Sequence, residues 1–174
     1  MGFNSLTKRV IILLFTVSAL VNFSACSYSF TGASVPPHLK TIAIPIFSDR
    51  SGSGEFNLGE NLTNSLIQKF VDDNTLIVTD KLNSDSILEG TIVSLTDAPA
   101  VVTGNENIST RRLTITVRAV YKDLVKRKNI FEKNFSNYGD YSTDGDIISA
   151  RQGAIDTAIQ KITEDILLGV VSNW

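Results

Sequence analysis

RRLTITVRAVYK, residues Arg111 to Lys122, alternates strictly: Leu113, Ile115, Val117, Ala119 and Tyr121 point one way, while Arg112, Thr114, Thr116, Arg118, Val120 and Lys122 point the other. Successive side chains of a strand leave opposite faces, so this stretch predicts a strand with one face for a core. The other face is free to meet water or a partner. The turn DLVKRKN and the segment NIFEKNFSNY follow, with Phe131 and Phe135 on one side, which predicts an antiparallel hairpin.

Upstream, TIAIPIF (Thr41 to Phe47) has the apolar density of a strand buried on both faces, and Pro45, lacking a ladder donor, predicts an edge or a bulge near its end. SDRSGSGEFN reads as a loop. Asn57 with Glu60 has the spacing of a capping box, and Leu58, Leu62, Leu66, Ile67, Phe70 and Val71 form one helical stripe that ends at Asp72, Asp73 and Asn74. Thr75 to Thr79 predicts a short strand, and SILEGTIVSLT (Ser86 to Thr96) a longer one that breaks at Ala98 and Pro99. A turn is expected at Gly104 and Asn105.

Downstream of the hairpin, apolar residues from Ile147 and Ile148 through Ala154, Ile155, Ala158, Ile159, Ile162, Ile166 and Leu167 to Val170 and Val171 recur at intervals of three and four. They predict a long amphipathic helix reaching nearly to Trp174, with Asp144 and Asp146 capping and charging its start. Two helices with one stripe each suggest an α+β fold: a mixed, mostly antiparallel sheet of about four to five strands with both helices packed on one face. The first strand, the first helix and a later parallel strand would form one crossover.

The N-terminal region has a different character. Lys8 and Arg9 precede a 14-residue apolar run, Val10 to Phe23, then Ser24, Ala25 and the single cysteine of the chain, Cys26. This is the layout of a secretory signal peptide, and the run is short of the roughly 20 apolar residues a membrane span needs. With no second cysteine there is no internal disulfide, and with one histidine, His38, beside Pro36 and Pro37, nothing marks a reactive thiol. Cys26 behind small residues, with Phe23 three positions before it, resembles the lipobox of bacterial lipoproteins. In that family the thiol is diacylated and the signal removed. The expected division is therefore a signal peptide over 1–25, a lipidated N-terminus and tether over 26–38, and one domain over 39–174. Without the signal, 14 basic and 18 acidic residues remain, a net charge of −4 that speaks against nucleic acid or another polyanion as general partner.

Enzymatic signatures are missing from the spelling. SGSGEFNLG lacks the Lys-Ser/Thr of a phosphate loop, and Asn57 stands where a dinucleotide fingerprint wants its third glycine. Asp140, Ser142, Asp144 and Gly145 imitate the opening of a calcium loop, but its twelfth position is Arg151 instead of a bidentate Glu. There is no G-x-S-x-G serine, and no cofactor or metal site is expected. What stands out is positive charge: Arg111, Arg112, Arg118, Lys122, Lys126, Arg127 and Lys128 fall within one hairpin of a net-acidic domain. One reading is a solvated strand face whose lysines protect an edge. The other is a site for phosphorylated or carboxylated sugars, carried by Arg112, Arg118, Lys122, Lys126, Arg127 and Lys128, with threonine hydroxyls adding hydrogen bonds.

CSYSFTGASVPP after the signal, KTIAIPIF, the ILEGTI strand, RRLTITVRAVYKD and the terminal NW together resemble the LptE family of lipopolysaccharide-assembly lipoproteins in its Bacteroidetes-like form, over essentially the whole mature chain. The resemblance implies a non-enzymatic outer-membrane lipoprotein anchored through Cys26. It also implies a body that plugs the lumen of the LptD barrel and helps that barrel to fold and lipopolysaccharide to reach the outer leaflet. SYSF after the cysteine lacks the acidic run associated with surface display, so the expected location is the periplasmic side of the outer membrane. An alternative is a lipoprotein subunit of another envelope complex, such as a secretion pore.

Overall fold

The computed structural model describes residues 35–100 and 110–172. Cys26 and the expected signal peptide, the expected turn at Gly104 and Asn105, and the terminal Asn173 and Trp174 lie outside the described residues.

The alternation in RRLTITVRAVYK becomes the central strand of an open α+β sheet. The strands are β1 (Thr41–Ala43), β2 (Ser48–Asp49), β3 (Ile77–Val78), β4 (Ser86–Pro99), β5 (Thr110–Asp123) and β6 (Lys128–Ser142), and the helices are α1 (Leu58–Asp73) and α2 (Ile147–Val171). The order across the sheet is β3-β1-β4-β5-β6, with β2 also on β4. β1 lies parallel to β3 and β4, while β4-β5-β6 is an antiparallel meander with Tyr121 opposite Phe131 and Val117 opposite Phe135. Among the described residues the sheet therefore has six strands, against the four to five expected.

Leu113, Ile115, Val117, Ala119 and Tyr121 of β5 are fully buried beneath Leu62, Leu66 and Phe70 of α1 and Ile155, Ala158, Ile162 and Ile166 of α2. Each Leu, Ile, Val or Phe side chain among them contributes about 1.5–3 kcal/mol of burial. Lys69 of α1 reaches Glu164 at 2.7 Å, and Glu55 before α1 meets Arg151 at 2.7 Å, so the two helices lie side by side and run in the same direction. Both cover one face of the sheet, as their stripes predict. No helix among the described residues is long and apolar enough to cross a membrane.

Several local expectations are corrected. β1 stops at Ala43, two residues before Pro45, and Ile46 is 71% exposed, so TIAIPIF is not one buried strand. Pro45 cannot extend the ladder. The chain returns instead as β2, inside the stretch read as a loop, and pairs with β4 at Ser48–Thr91 and Asp49–Ile92. Between them Phe47 turns inward, and its N–H donates to Thr63 Oγ1 at 2.9 Å, which in turn donates to the Gly59 carbonyl at 2.7 Å. This satisfies a backbone donor that would otherwise be buried alone.

Asn57 and Glu60 form no capping box: Asn57 adopts a left-handed backbone with φ 56°, and its side chain makes no cap hydrogen bond. The first turn of α1 comes too close to Phe47 for an ordinary approach, since a Cβ on Gly59 would lie 2.3 Å from the Phe47 carbonyl oxygen. At the second helix Asp146 does cap, accepting from the Ser149 N–H at 3.2 Å. Val71, Ile147 and Ile148, counted in the apolar stripes, are exposed.

β4 runs on to Pro99 and contains a bulge between Ile92 and Ser94. Before the bulge Leu88 and Ile92 face the helices. After it the parity switches, and Leu95 and Asp97, opposite Ile115 and Leu113, take that side. At the other end, Val35 packs on the core, and His38 Nε2 lies 2.7 Å from Asp123 Oδ2, so the last residues assigned to the tether are held by the body.

Candidate functional site

Among the described residues both helices lie on one face, which leaves the opposite face of β4-β5-β6 uncovered by a helix and carrying the polar half of the alternation. Along it, four cross-strand contacts form a ladder. Lys122 Nζ meets Glu89 at 2.5 Å, Arg118 Nε donates to Glu132 at 2.9 Å, the Thr116 and Ser136 hydroxyls lie 3.1 Å apart, and Arg112 grips Asp140 with two nitrogens at 2.7 and 2.8 Å. The Arg112 guanidinium also stacks 3.7 Å above the ring of Tyr138. A shallow hollow of about 350 Å³ is lined by Pro45, Ile46, Glu89, Thr91 and Arg118 among others.

The seven basic residues of the hairpin therefore do not form one patch. Arg112, Arg118 and Lys122 lie on the open face and are matched one for one by carboxylates. Lys126, Arg127 and Lys128 are exposed at the β5–β6 turn. Arg111, by parity, falls on the helix side, where its Nε donates to Asp97 Oδ1 at 2.8 Å. Asp97 also accepts from the Tyr141 hydroxyl at 2.7 Å and lies 3.4 Å from Arg151 Nε. Charge counting in the sequence missed Asp97, Glu89, Glu132 and Asp140, which are spread over two other strands. Only the registers bring them opposite the cations.

Exposed ion pairs of this kind contribute about 0–1 kcal/mol each, so a ligand phosphate or carboxylate can exchange for the internal partner at low cost. A planar guanidinium with a hydroxyl two residues away suits a sugar phosphate. Among the described residues, no group of three His, Cys, Asp or Glu side chains converges.

The carboxylates have a consequence for acid stability. Burial raises Asp97, but the Tyr141 hydroxyl and the Arg111 and Arg151 charges outweigh it and hold the group below its ordinary value of 3.8. The Arg112 fork lowers Asp140, the Lys40 and Thr41 N–H groups with the Thr41 hydroxyl lower Asp85, and His38 with the Lys126 N–H outweighs burial at Asp123. Carboxylates depressed in the folded state contribute stability that is complete above their unfolded value and lost as pH falls through the lower folded ones. The melting temperature is thus expected to stay level from about pH 7 to 5 and to fall steeply below about pH 4. Melting curves across that range check this, and a level profile down to pH 2 contradicts it.

The fold and this face define a class: a two-layer α+β module in which, among the described residues, both helices cover one side of the sheet. Residues 39–168 match the family model described as "LptE: Lipopolysaccharide-assembly", and the chain belongs to that family. Solved structures share the fold at low identity. Protein XCC0632 from Xanthomonas campestris is 14% identical with a TM-score of 0.61, covering 81% of this chain and 91% of its own. The hypothetical protein CT253 from Chlamydia trachomatis is 9% identical with a TM-score of 0.58, covering 76% and 95%. The rare lipoprotein B from Shewanella oneidensis is 14% identical with a TM-score of 0.50, covering 75% and 92%. A search of curated proteins finds no match.

Proposed function

We propose that the chain is a non-enzymatic lipoprotein anchored through Cys26 in the periplasmic leaflet of the outer membrane. Its body plugs the LptD barrel and assists lipopolysaccharide transport and insertion. The observation that carries this reading is the open face of β4-β5-β6. It is a helix-free surface of hydroxyls, an Arg–Tyr stack and exchangeable ion pairs, on a member of a lipopolysaccharide-assembly family. Barrel lumens are polar, and a plug meets them through a surface that is charged yet internally balanced.

The test is affinity capture from solubilised outer membranes through a C-terminal tag, with the mass of the N-terminal peptide read in the same sample. A large barrel recovered near one to one, together with an acylated Cys26, is the expected result. Acylated protein recovered alone or as a ring removes the plug reading and favours a secretion-pore type of subunit.

Ligand contact is tested by reversing charge at Arg112, Arg118 and Lys122. One lost charged hydrogen bond is worth about 1.5 kcal/mol or more, so binding of lipopolysaccharide is expected to weaken roughly tenfold per contact removed. Unchanged binding with an unchanged melting temperature removes this face as the ligand site. Lys126, Arg127 and Lys128 belong to a different surface.

A further inference from the structure

Three segments distant in sequence are fastened together at the end of the sheet where the chain from Cys26 joins the body. His38 pairs with Asp123 at 2.7 Å, the Leu124 N–H donates to the Asp85 carbonyl at 2.8 Å, and Thr41 Oγ1 lies 3.4 Å from the Asn83 carbonyl. The carboxylates in these segments keep their negative charge but are held by internal hydrogen bonds. Asp123 accepts the Lys126 N–H, Asp85 accepts from Lys40 and Thr41, and Asp80 accepts from Leu82 and Asn83.

The cations are not. Lys40, Lys81, Lys126, Arg127 and Lys128 are all exposed, and none forms an ion pair with a described residue. Among them stand two apolar side chains turned to solvent, Leu82 at 95% and Val125 at 58%. On the helix layer, α1 ends at this same end in Asp72 and Asp73, so the excess of positive charge, the five exposed cations against Asp80, Asp85 and Asp123, belongs to the sheet layer alone.

We infer that this end of the sheet layer is a docking face for an anionic phospholipid surface, which the β5–β6 turn meets first. The inference rests on the Cys26 anchor reading alone and describes the anchored chain before a barrel takes up its body. Eight residues lie between Cys26 and Val35, a reach of at most about 30 Å whatever path the chain takes. That leaves the five cations within reach of the headgroups, where each contributes about 1 kcal/mol once it comes within a Debye length of an anionic leaflet. Acyl chains supply the affinity, and the cations with Leu82 and Val125 set the orientation. The helix N-termini, with Ile147 and Ile148, then point away from the lipid.

The experiment uses the full acylated chain in vesicles of phosphatidylcholine, or of phosphatidylcholine mixed with phosphatidylglycerol, each carrying a headgroup quencher. A fluorophore sits at Val125→Cys in one preparation and at Ile148→Cys in another, and flotation is read in parallel. Quenching at position 125 is expected in the mixed vesicles, with its excess over phosphatidylcholine lost in high salt and in the variant Lys126→Gln, Arg127→Asn, Lys128→Gln. Asparagine is chosen at 127 because φ there is 54°. Position 148 is expected to stay unquenched in both. If the protein floats but positions 125 and 148 are quenched alike, or 125 is indifferent to anionic lipid, the docking face falls while the anchor stands. If it floats with neither vesicle, the anchor reading falls and the docking face with it.

Discussion

Gly139→Ala is expected to cost about 3 kcal/mol or more and to lower the melting temperature by about 10 °C, although it adds a single methyl group. Gly139 of β6 lies opposite Leu113, on the side that α2 covers. A Cβ there would stand 2.1 Å from the Ala154 carbonyl oxygen and 2.8 Å from both its carbonyl carbon and its Cα. All three are backbone atoms of the helix, so no rotamer change relieves the clash and α2 must lift from β6. Gly153, one residue before Ala154 on the exposed side of the same helix, provides the contrast, because nothing lies within 4 Å of a Cβ placed on it. Gly153→Ala is expected to stabilise by about 0.5–1 kcal/mol through helix propensity. Thermal or denaturant unfolding of both variants decides the matter; equal effects would mean that α2 does not pack on β6 at this distance.

Phe47→Ala carries the second large effect, about 3–5 kcal/mol of stability lost. Phe47 is 1% exposed, and its ring lies over Gly90 of β4 so closely that a Cβ there would fall 2.0–2.5 Å from three ring carbons. Its backbone is held at the same time by Thr63 and abuts Gly59. Gly90→Ala alone is therefore also destabilising, because the ring has no free space to enter. In the Phe47→Ala background the same alanine fills part of the cavity, so the double variant is expected to lose clearly less than the sum of the single losses. Additive losses in a double-mutant cycle by chemical unfolding would show that Phe47 and Gly90 are not in contact.

These predictions rest on features of unequal visibility in the sequence. The strand Thr110–Asp123 announced itself because alternation over a dozen residues has no good competing period. The same holds for α2, where Ala154, Ile155, Ala158, Ile159 and Ile162 repeat at helical spacing. Near Phe47 the sequence was opaque. The stripe TIAIPIF has the composition of a strand, yet Pro45 splits it, and Ser48 and Asp49 pair with β4 only because Phe47 has been drawn under the sheet. The left-handed Asn57 defeats a capping spelling that is otherwise well formed.

For the candidate site, the cations were legible and their partners were not. Arg112, Arg118 and Lys122 fall on one face by alternation, and Arg111 on the other. Their carboxylates come from Glu89 on β4 and from Glu132 and Asp140 on β6, matched by registers that no local pattern states. A bulge at Ile92/Ser94 sends Asp97 to the helix side, where Arg111, Tyr141 and Arg151 meet it.

What the sequence by itself determined is what depends on neighbours along the chain: the alternation of β5, the helical stripes, the caps at Asp146, and the α+β class that follows from one-sided elements. What only the tertiary structure decided is what depends on approach between distant segments. It separated the basic hairpin into a balanced ladder on the open face and an unbalanced turn beside His38. The reason is physical: burial periodicity is written within each element, whereas the pairing of charges depends on strand register, and register is set by the packing of the whole core.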